Sequence, residues 1–186
     1  IDGSGTKTAL NTINIAGAFI LNAGTYALGT TSSTITGLTD LNSTIIISTG
    51  TLDANGTFDA TDGTIDFTDA GFLKLGGAII TSLGSLDNTD GTVVYDRNGD
   101  QTLLYDYYFN LKIDGSGSKT QNGAIDIDGN LTLSAGTLNV SASNYSITAA
   151  GDWINAGGAF FYGTSTVTLD GSTTQKINIS EAGSTI

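Results

Sequence analysis

Apolar residues alternate with polar or small residues in short runs along the whole chain, as in Ile13–Ile15, Ile125–Ile127 and Val167–Leu169. A period of two is typical of β-strands that are buried on one side. Asp-Gly and Asn-Gly pairs, such as Asp114 and Gly115, separate many of the runs and supply the backbone freedom that tight turns require. The pattern predicts strands of roughly three to five residues, each followed by a turn, and no helix.

Two internal repeats organise these runs. Residues 1–8 (IDGSGTKT) return as residues 113–120 (IDGSGSKT), at an offset of 113 − 1 = 112. Residues 92–96 (TVVYD) are similar to residues 166–170 (TVTLD), at an offset of 166 − 92 = 74. Two offsets predict repeat-like units over about residues 1–100 and 101–186. We expect roughly 38 additional residues to form extra coils within about residues 41–90, because a solenoid absorbs added length in this way.

The spacing of glycines that precede Thr or Ser predicts coils of about 20–26 residues, within the range of known solenoid repeats. The 186 residues would then form roughly eight coils and a rod about 40 Å long. The predicted fold is all-β, a parallel β-helix (β-solenoid) that is a single array over residues 1–186 and right-handed. An antiparallel β-sandwich is the alternative, because Asn-Gly between alternating strands also signals hairpins. The short strands and the 26 Gly, which suit tight corners, favour the solenoid.

The composition narrows the classes of function. The chain has no Cys, His, Pro or Met, which excludes disulfides, thiolate metal sites and the commonest general base. Lys and Arg number 6 against 18 Asp and Glu, for a net charge of −12. This balance disfavours a nucleic-acid partner, whose phosphates require basic residues. No apolar run approaches the roughly 18–20 residues that span a membrane. The chain starts within a repeat motif and without a Met, so we expect a piece of a longer protein.

Several motifs follow one another in a recognisable order. They are YFNLKIDGSGSKT at residues 108–120, IDGNLTLSAGTL at 127–138, AGDWIN at 150–155, GTSTVTLDG at 163–171 and TQKI at 174–177. This order resembles the β-solenoid repeats of large secreted prokaryotic surface proteins, the haemagglutinin-like and autotransporter-like adhesins. The resemblance covers residues 101–177 well and residues 1–37 in part. It implies a structural or adhesive segment outside a bacterial or archaeal cell, and it carries no catalytic residues.

One acidic segment has the oxygen spacing that begins a calcium loop. Asp96, Asn98 and Asp100 stand at the first, third and fifth positions of such a loop. The sixth position is Gln101 rather than Gly, and the twelfth is Tyr107 rather than a bidentate Glu. Calcium is therefore the one candidate cofactor, with these three residues as candidate ligands. An acidic turn between two strands is the favoured interpretation.

The main aromatic cluster of the sequence consists of Tyr105, Tyr107, Tyr108 and Phe109. Alternation predicts Tyr105, Tyr107 and Phe109 on one face of a strand and Tyr108 on the other. Aromatic side chains beside acidic residues are one way to build a platform for a surface glycan. The favoured interpretation is that these rings pack in the core or between coils.

The sequence thus predicts a structural extracellular rod that stacks on neighbouring repeats or joins identical subunits end to end. The alternative is an adhesin or a ligand-binding module for carbohydrate, calcium or ice; the Thr-rich residues 30–36 suggest ice, but their spacing is not repeated from coil to coil. We expect no enzymatic activity, because six scattered basic residues cannot line a groove for acidic polysaccharides and no carboxylate pair stands out.

Overall fold

A computed structural model describes residues 1–179 of the chain. Within that range the chain consists of 26 strands of two to four residues joined by turns, and none of these residues is helical. In chain order the strands are β1 Thr6–Thr8, β2 Ile13–Ile15, β3 Phe19–Leu21, β4 Thr25–Ala27, β5 Ser32–Ile35, β6 Thr39–Leu41, β7 Thr44–Ile47, β8 Thr51–Ala54, β9 Phe58–Asp59, β10 Thr64–Phe67, β11 Phe72–Leu75, β12 Ile80–Ser82, β13 Ser85–Leu86, β14 Thr92–Tyr95, β15 Gln101–Leu103, β16 Tyr107–Tyr108, β17 Asn110–Ile113, β18 Ser118–Gln121, β19 Ile125–Ile127, β20 Leu131–Leu133, β21 Thr137–Asn139, β22 Ile147–Ala149, β23 Trp153–Asn155, β24 Ala159–Phe161, β25 Val167–Leu169 and β26 Ile177–Ile179.

These strands form three faces that succeed one another around each turn of a β-solenoid. The continuous face is one nine-stranded sheet, β2-β5-β8-β11-β14-β17-β20-β23-β26. The second face consists of two sheets, β3-β6-β9-β12 and β15-β18-β21-β24, and the third face of β1-β4-β7-β10-β13 and β16-β19-β22-β25. We name the connection from the continuous to the second face the first corner, and that from the second to the third face the second corner.

The pairings decide between the two predicted folds. All pairings between the described strands are parallel, and the solenoid has about eight turns. The predicted parallel β-solenoid of roughly eight coils is therefore confirmed, and the antiparallel sandwich is wrong. Turn length varies: Thr92 pairs with Asn110, an advance of 110 − 92 = 18 residues, whereas Trp153 pairs with Ile177, an advance of 177 − 153 = 24. The turn that starts at Thr92 is thus shorter than the predicted 20–26 residues.

One apolar core runs along the axis inside the three faces. Within strands such as β8 and β10, half-buried and buried residues alternate, and the buried ones point inward. Leu52, Ile65 and Leu73 have no exposed surface. Burying each such side chain stabilises the fold by about 1.5–3 kcal/mol relative to leaving it in water. The period-two pattern of the sequence therefore supplies a layer of core at every turn.

Glycines stack above one another at the first corner. A Cβ atom at Gly77 would lie 1.8 Å from the carbonyl oxygen of Gly56, and one at Gly56 would lie 1.9 Å from that of Gly37. Real Cβ contacts are never this short, so the backbones of successive turns approach more closely here than any side chain permits. The glycine content predicted tight corners, and this column, formed by Gly17, Gly37, Gly56 and Gly77, is one of them.

The two copies of the 112-residue repeat lie on different faces. Lys7 is in β1 on the third face, and its counterpart Lys119 is in β18 on the second face. Ile13 is in β2 on the continuous face, and its counterpart Ile125 is in β19 on the third face. The repeated unit is therefore a strand–corner–strand motif that is displaced by one face from the first copy to the second.

Candidate binding cleft at the sheet interruption

Two of the three faces are interrupted at the same level of the solenoid. On the second face β12 pairs with β9 and β15 with β18; on the third face β13 pairs with β10 and β16 with β19. Among the described strands, no pairing joins β12 to β15 or β13 to β16. Of the faces formed by residues 1–179, only the continuous face crosses this level, through β11, β14 and β17. Backbone groups at the interruption therefore need partners other than the next strand.

A buried pair of tyrosines supplies some of these partners. The hydroxyls of Tyr95 and Tyr108 lie 3.1 Å apart, and neither side chain is exposed. The backbone N–H of Leu104 donates to the Tyr95 hydroxyl at 3.3 Å, and the Tyr108 hydroxyl donates to the backbone oxygen of Leu104 at 2.6 Å. Burial is the main cause that raises the pKa of Tyr95 and of Tyr108 far above their ordinary values, so both are neutral donors at neutral pH. The pair thus stands in for the missing strand pairing at Leu104.

A buried glutamine also supplies hydrogen-bond partners for backbone groups at the interruption, in this case for carbonyls of the turn before it. The Nε2 of Gln101 donates to the backbone oxygens of Leu75 and Gly77, at 2.8 Å each. Gly77 ends the glycine column, so the Gln101 amide binds carbonyls of the last turn of the column. Gln175, its counterpart in the 74-residue repeat, donates in the same way to Ala149 and Gly151 at 2.8 Å. The repeated Gln is a side chain that binds the carbonyls of the preceding turn.

The interruption opens a cleft on the surface at the second corner. Its volume is about 560 Å³, and we name it the tyrosine cleft. Four successive turns form its walls: residues 81–84 from the turn before the break, residues 104–107 from the turn after it, and Asn122, Asp126 and Thr148 among residues of the two turns that follow. The cleft is of a size typical of small-molecule sites, which occupy roughly 300–1,000 Å³.

Tyr105 is held in place although its side chain is 67% exposed. Its backbone N–H donates to the Oδ1 of Asn122 at 2.7 Å. The next residue, Gly123, leaves room for the ring: a Cβ atom there would lie 2.6 Å from the Cβ of Tyr105. The Asn-Gly pair that sequence reasoning assigned to a turn therefore also fixes the position of an exposed aromatic residue.

Tyr107 stands beside two carboxylates. Its side chain is 64% exposed, and its backbone N–H donates to the Oδ1 of Asp106 at 2.8 Å. Asp126 is its register partner on the neighbouring strand β19. Burial raises the pKa of Asp106, and burial together with the nearby charges of Asp128 and Asp170 raises the pKa of Asp126. The tyrosine cleft is therefore an acidic site with an exposed aromatic residue on its wall.

The aromatic cluster is divided as alternation predicted for three of its members. Tyr105 and Tyr107 face solvent, and Tyr108 is in the core. Phe109, which alternation placed on the same face as Tyr105 and Tyr107, is half-buried. The favoured interpretation, packing in the core or between coils, therefore describes Tyr108 but neither Tyr105 nor Tyr107.

The three candidate calcium ligands lie near one another at the first corner, but each has its own contact. Asp96 forms an ion pair with Lys74 at 2.8 Å. The Oδ1 of Asn98 accepts the backbone N–H of Ser116 at 3.3 Å, and the Oδ1 of Asp100 accepts that of Ser118 at 2.8 Å. In residues 1–179, no group of three or more acidic side chains is placed to hold a metal ion. These contacts are those of an acidic turn, and calcium binding stays a prediction.

Sequence reasoning missed the buried cation at the same corner. The side chain of Lys119 has no exposed surface, and its Nζ donates to the backbone oxygens of Arg97 at 2.9 Å, Gly99 at 3.1 Å and Ser116 at 2.7 Å. Burial is the main cause that lowers its pKa. Alternation could have revealed it, because Lys119 occupies an inward position of β18.

In the described part of the chain, no helix is long and apolar enough to cross a membrane. No protein-family model, no curated protein and no solved structure matches this chain. The resemblance to adhesin repeats is therefore supported only at the level of fold: the chain forms a β-solenoid of about eight turns, and no family is identified.

Proposed function

We propose that this chain is a structural, non-enzymatic segment of an extracellular or cell-surface protein of a bacterium or archaeon. Its stacked turns form a rod that continues into neighbouring repeats or joins identical subunits end to end. The observation that carries the proposal is the continuous face, a single parallel sheet of nine strands from β2 to β26. The hydrogen bonds of such a sheet run along the rod axis, so they resist extension of the rod.

The continuous face stays paired at the level where the strand pairing of the other two faces is interrupted. It is unbroken through β11, β14 and β17, at the level of the tyrosine cleft. A protein selected only for one binding site needs no sheet of this length. A rod needs one ladder that spans every turn, and this arrangement supports that role.

The first described turn has an edge against which either a neighbouring repeat or an identical subunit would pack. In the described residues, β1, β2 and β3 each pair with a strand on one side only. Ile15 is half-buried, whereas its register partner Ile35 on the next turn is 1% exposed. Another parallel turn placed against β2 would cover Ile15 as the solenoid covers Ile35. Unpaired strand edges of this kind template further pairing.

Composition supports the location and the absence of catalysis. A chain without Cys is independent of the redox state of its surroundings, and an acidic polar surface keeps a rod soluble. With no His in the sequence, and with no group of three or more acidic side chains placed to hold a metal ion in residues 1–179, the chain offers little for general acid–base or metal-assisted chemistry.

Electron microscopy of the purified 186-residue chain over a range of concentrations, with and without a calcium chelator, tests the proposal. We expect thin fibres, or rods that lengthen with concentration. Ile15→Lys places a charge on the inward side of an edge strand and should abolish the lengthening. Ile46→Lys is the control for the added charge, because Ile46 is also half-buried but lies on the outward side of β7, within the array.

Three outcomes separate the alternatives. Single short rods at every concentration would contradict self-assembly and leave only a role within a longer chain. Equal loss in both variants would show that an added positive charge, and not the edge, prevents assembly. Fibres that disappear with the chelator would assign calcium, and the corner at Asp96, Asn98 and Asp100, a role in assembly.

A further inference from the structure

The tyrosine cleft has features that a rod does not require. It spans four turns, has a volume of about 560 Å³ and lies where two sheets are interrupted. A repeat that only stacked would gain stability by pairing β12 with β15 and β13 with β16. Instead a buried tyrosine pair and a buried glutamine support the open arrangement. The interruption is therefore a feature of the fold that specific buried side chains stabilise.

The aromatic side chains of the cleft are exposed, and the backbone that carries them is held in position. Tyr105 is tied to Asn122 and lies against Gly123, and the backbone N–H of Tyr107 is tied to Asp106. An exposed tyrosine presents a flat apolar surface with an electron-rich face. Fixing the backbone beneath that surface in advance lowers part of the entropy lost when a ligand binds. Flat rings of this kind suit a ligand that has an apolar face of polarised C–H groups.

The polar groups of the cleft are mostly acceptors or hydroxyls. The carboxylates of Asp106 and Asp126 accept hydrogen bonds, and Ser146 and Thr148 add hydroxyls that donate or accept. Hydrogen bonds from hydroxyls to carboxylates are among the stronger ones. The matching ligand therefore carries several hydroxyl donors.

Charge excludes one class of ligand. None of the described residues that line the cleft is Lys or Arg, and two of them are Asp. The nearby Asp128 and Asp170 add negative potential, since their charges raise the pKa of Asp126. Anionic ligands such as uronic acids, sialic acids and phosphates would be repelled.

We propose that the tyrosine cleft binds a neutral saccharide, with a ring face against Tyr105 or Tyr107 and hydroxyls that donate to Asp106 and Asp126. This inference goes beyond the structural role and does not depend on it. A rod that bound no sugar would still be a rod, and a chain that did not assemble could still bind sugar.

Titration calorimetry of the intact 186-residue chain with a panel of oligosaccharides tests the proposal. The neutral members are cellotetraose, maltotetraose, mannotetraose and N-acetylchitotetraose; tetragalacturonate is the anionic probe and deacetylated chitotetraose the cationic one. We expect at least one neutral oligosaccharide to bind and tetragalacturonate not to bind. Tyr105→Ala or Tyr107→Ala should weaken that binding about tenfold, and Asp126→Asn should weaken it severalfold.

Phe161→Ala is the matched control. Phe161 is 60% exposed, close to the exposure of the two tyrosines, and lies in β24 outside the cleft. Binding should be unchanged in this variant, and all variants should melt with the wild-type profile by circular dichroism. If a tyrosine variant fails to fold, Asp126→Asn and chemical-shift mapping of Tyr105 and Tyr107 in the wild-type chain decide instead.

The proposal is overturned if no neutral oligosaccharide binds at the highest soluble concentration. It is also overturned if only the anionic or only the cationic probe binds, because the charge argument would then be wrong. Binding that survives both tyrosine variants, or falls equally with Phe161→Ala, would place the sugar elsewhere. None of these results depends on fibre formation, so failure here is distinguishable from failure of the rod proposal.

Discussion

The first corner is built differently in the turns before and after the interruption. Before it, glycines stack so closely that a Cβ at Gly77 would lie 1.8 Å from the backbone oxygen of Gly56. After it, the corner lengthens to residues 96–100 and polar side chains bind its carbonyls, as Lys119 binds Arg97 and Gly99. Before the interruption, the first corner is closed by stacked glycines. After it glycines still stack, since a Cβ at Gly117 would lie 2.7 Å from the backbone oxygen of Gly99, and the buried Lys119 also binds carbonyls of the corner.

The comparison shows that a β-solenoid tolerates a change of corner if one face stays paired. Because the second copy of the repeat is displaced by one face, its Gly-Ser-Gly-Ser-Lys segment falls at the first corner, whereas the Gly-Ser-Gly-Thr-Lys segment of the first copy falls at the second corner. The strand ladders of the second and third faces break between the two arrangements. The continuous face carries the register across the break.

The largest expected effect is at the glycine column. Gly77→Ala would force a methyl group against the Gly56 carbonyl, and we expect the free energy of unfolding to fall by at least about 3 kcal/mol. Gly17→Ala is the control, because a Cβ there meets nothing within 4 Å. Urea denaturation followed by circular dichroism measures both. Similar losses in the two variants would mean that the cost comes from glycine as such and not from the stacking.

The second prediction compares the loss of stability on substituting Lys119 with that on substituting Lys7, its counterpart in the first copy of the motif. Lys119→Met removes a buried cation from three backbone oxygens, and we expect a loss of about 2 kcal/mol because those carbonyls lose a charged donor. Lys7 also donates to three backbone oxygens, those of Gly3, Ser4 and Gly5, but these contacts are exposed. Lys7→Met should therefore cost well under about 1 kcal/mol. If both variants lose the same free energy of unfolding in urea, then burying the lysine does not strengthen its contacts with the backbone oxygens of the corner.

The third prediction compares the loss of stability on removing the hydroxyl of Tyr108, which supports the interruption, with that on removing the hydroxyl of its exposed neighbour Tyr107. Tyr108→Phe removes the donor to the Leu104 oxygen and the partner of the Tyr95 hydroxyl, so we expect a loss of about 1–3 kcal/mol. Tyr107→Phe should leave the free energy of unfolding unchanged within about 0.5 kcal/mol. Thermal melts of both variants check the difference. Wild-type stability of Tyr108→Phe would show that the hydroxyl pair does not support the break.

The sequence was sufficient to predict the fold and part of the cleft. Alternation predicted short strands and the placement of Tyr105 and Tyr107 opposite Tyr108, because side-chain direction in a strand depends only on a period of two. The short strands and the glycines favoured a parallel solenoid, and the spacing of the glycines predicted about eight turns. Alternation also places Lys119 at an inward position of its strand, and a buried Lys must have partners for its charge. The buried cation was therefore predictable from the sequence.

The position of the interruption was beyond sequence reasoning. It depends on which residue of one turn pairs with which residue of the next, and that register is set by turn lengths such as the 18 residues from Thr92 to Asn110 (110 − 92). The contacts that support the break join residues far apart in sequence, such as Gln101 and Leu75. The two offsets of the repeat were visible, but the displacement by one face that they produce appears only when strands are counted around the axis.

The smallest expected effect concerns the carboxylate of Asp106 in the tyrosine cleft. Burial raises its pKa above the ordinary value of 3.8, so the folded chain holds this proton more tightly than the unfolded chain does. Between pH 3.8 and the raised pKa the unfolded state binds fewer protons, and the free energy of unfolding therefore falls as pH rises through that window. Asp106→Asn removes this penalty and keeps an Oδ1 to accept the Tyr107 N–H. We expect the variant to exceed the wild type by less than about 1 kcal/mol near pH 7, and to match it near pH 3.

Asp62→Asn provides the comparison from the other half of the molecule, because Asp62 is exposed and lies between β9 and β10, before the interruption. It lowers the negative charge of the chain by the same amount. Urea denaturation of both variants and the wild type at the two pH values separates the causes. A gain confined to Asp106→Asn near pH 7 would show that the interruption buries a carboxylate at a cost in stability. An equal gain in both variants would assign it to the net charge of −12 instead, and the two halves would then differ in their corners but not in their electrostatics.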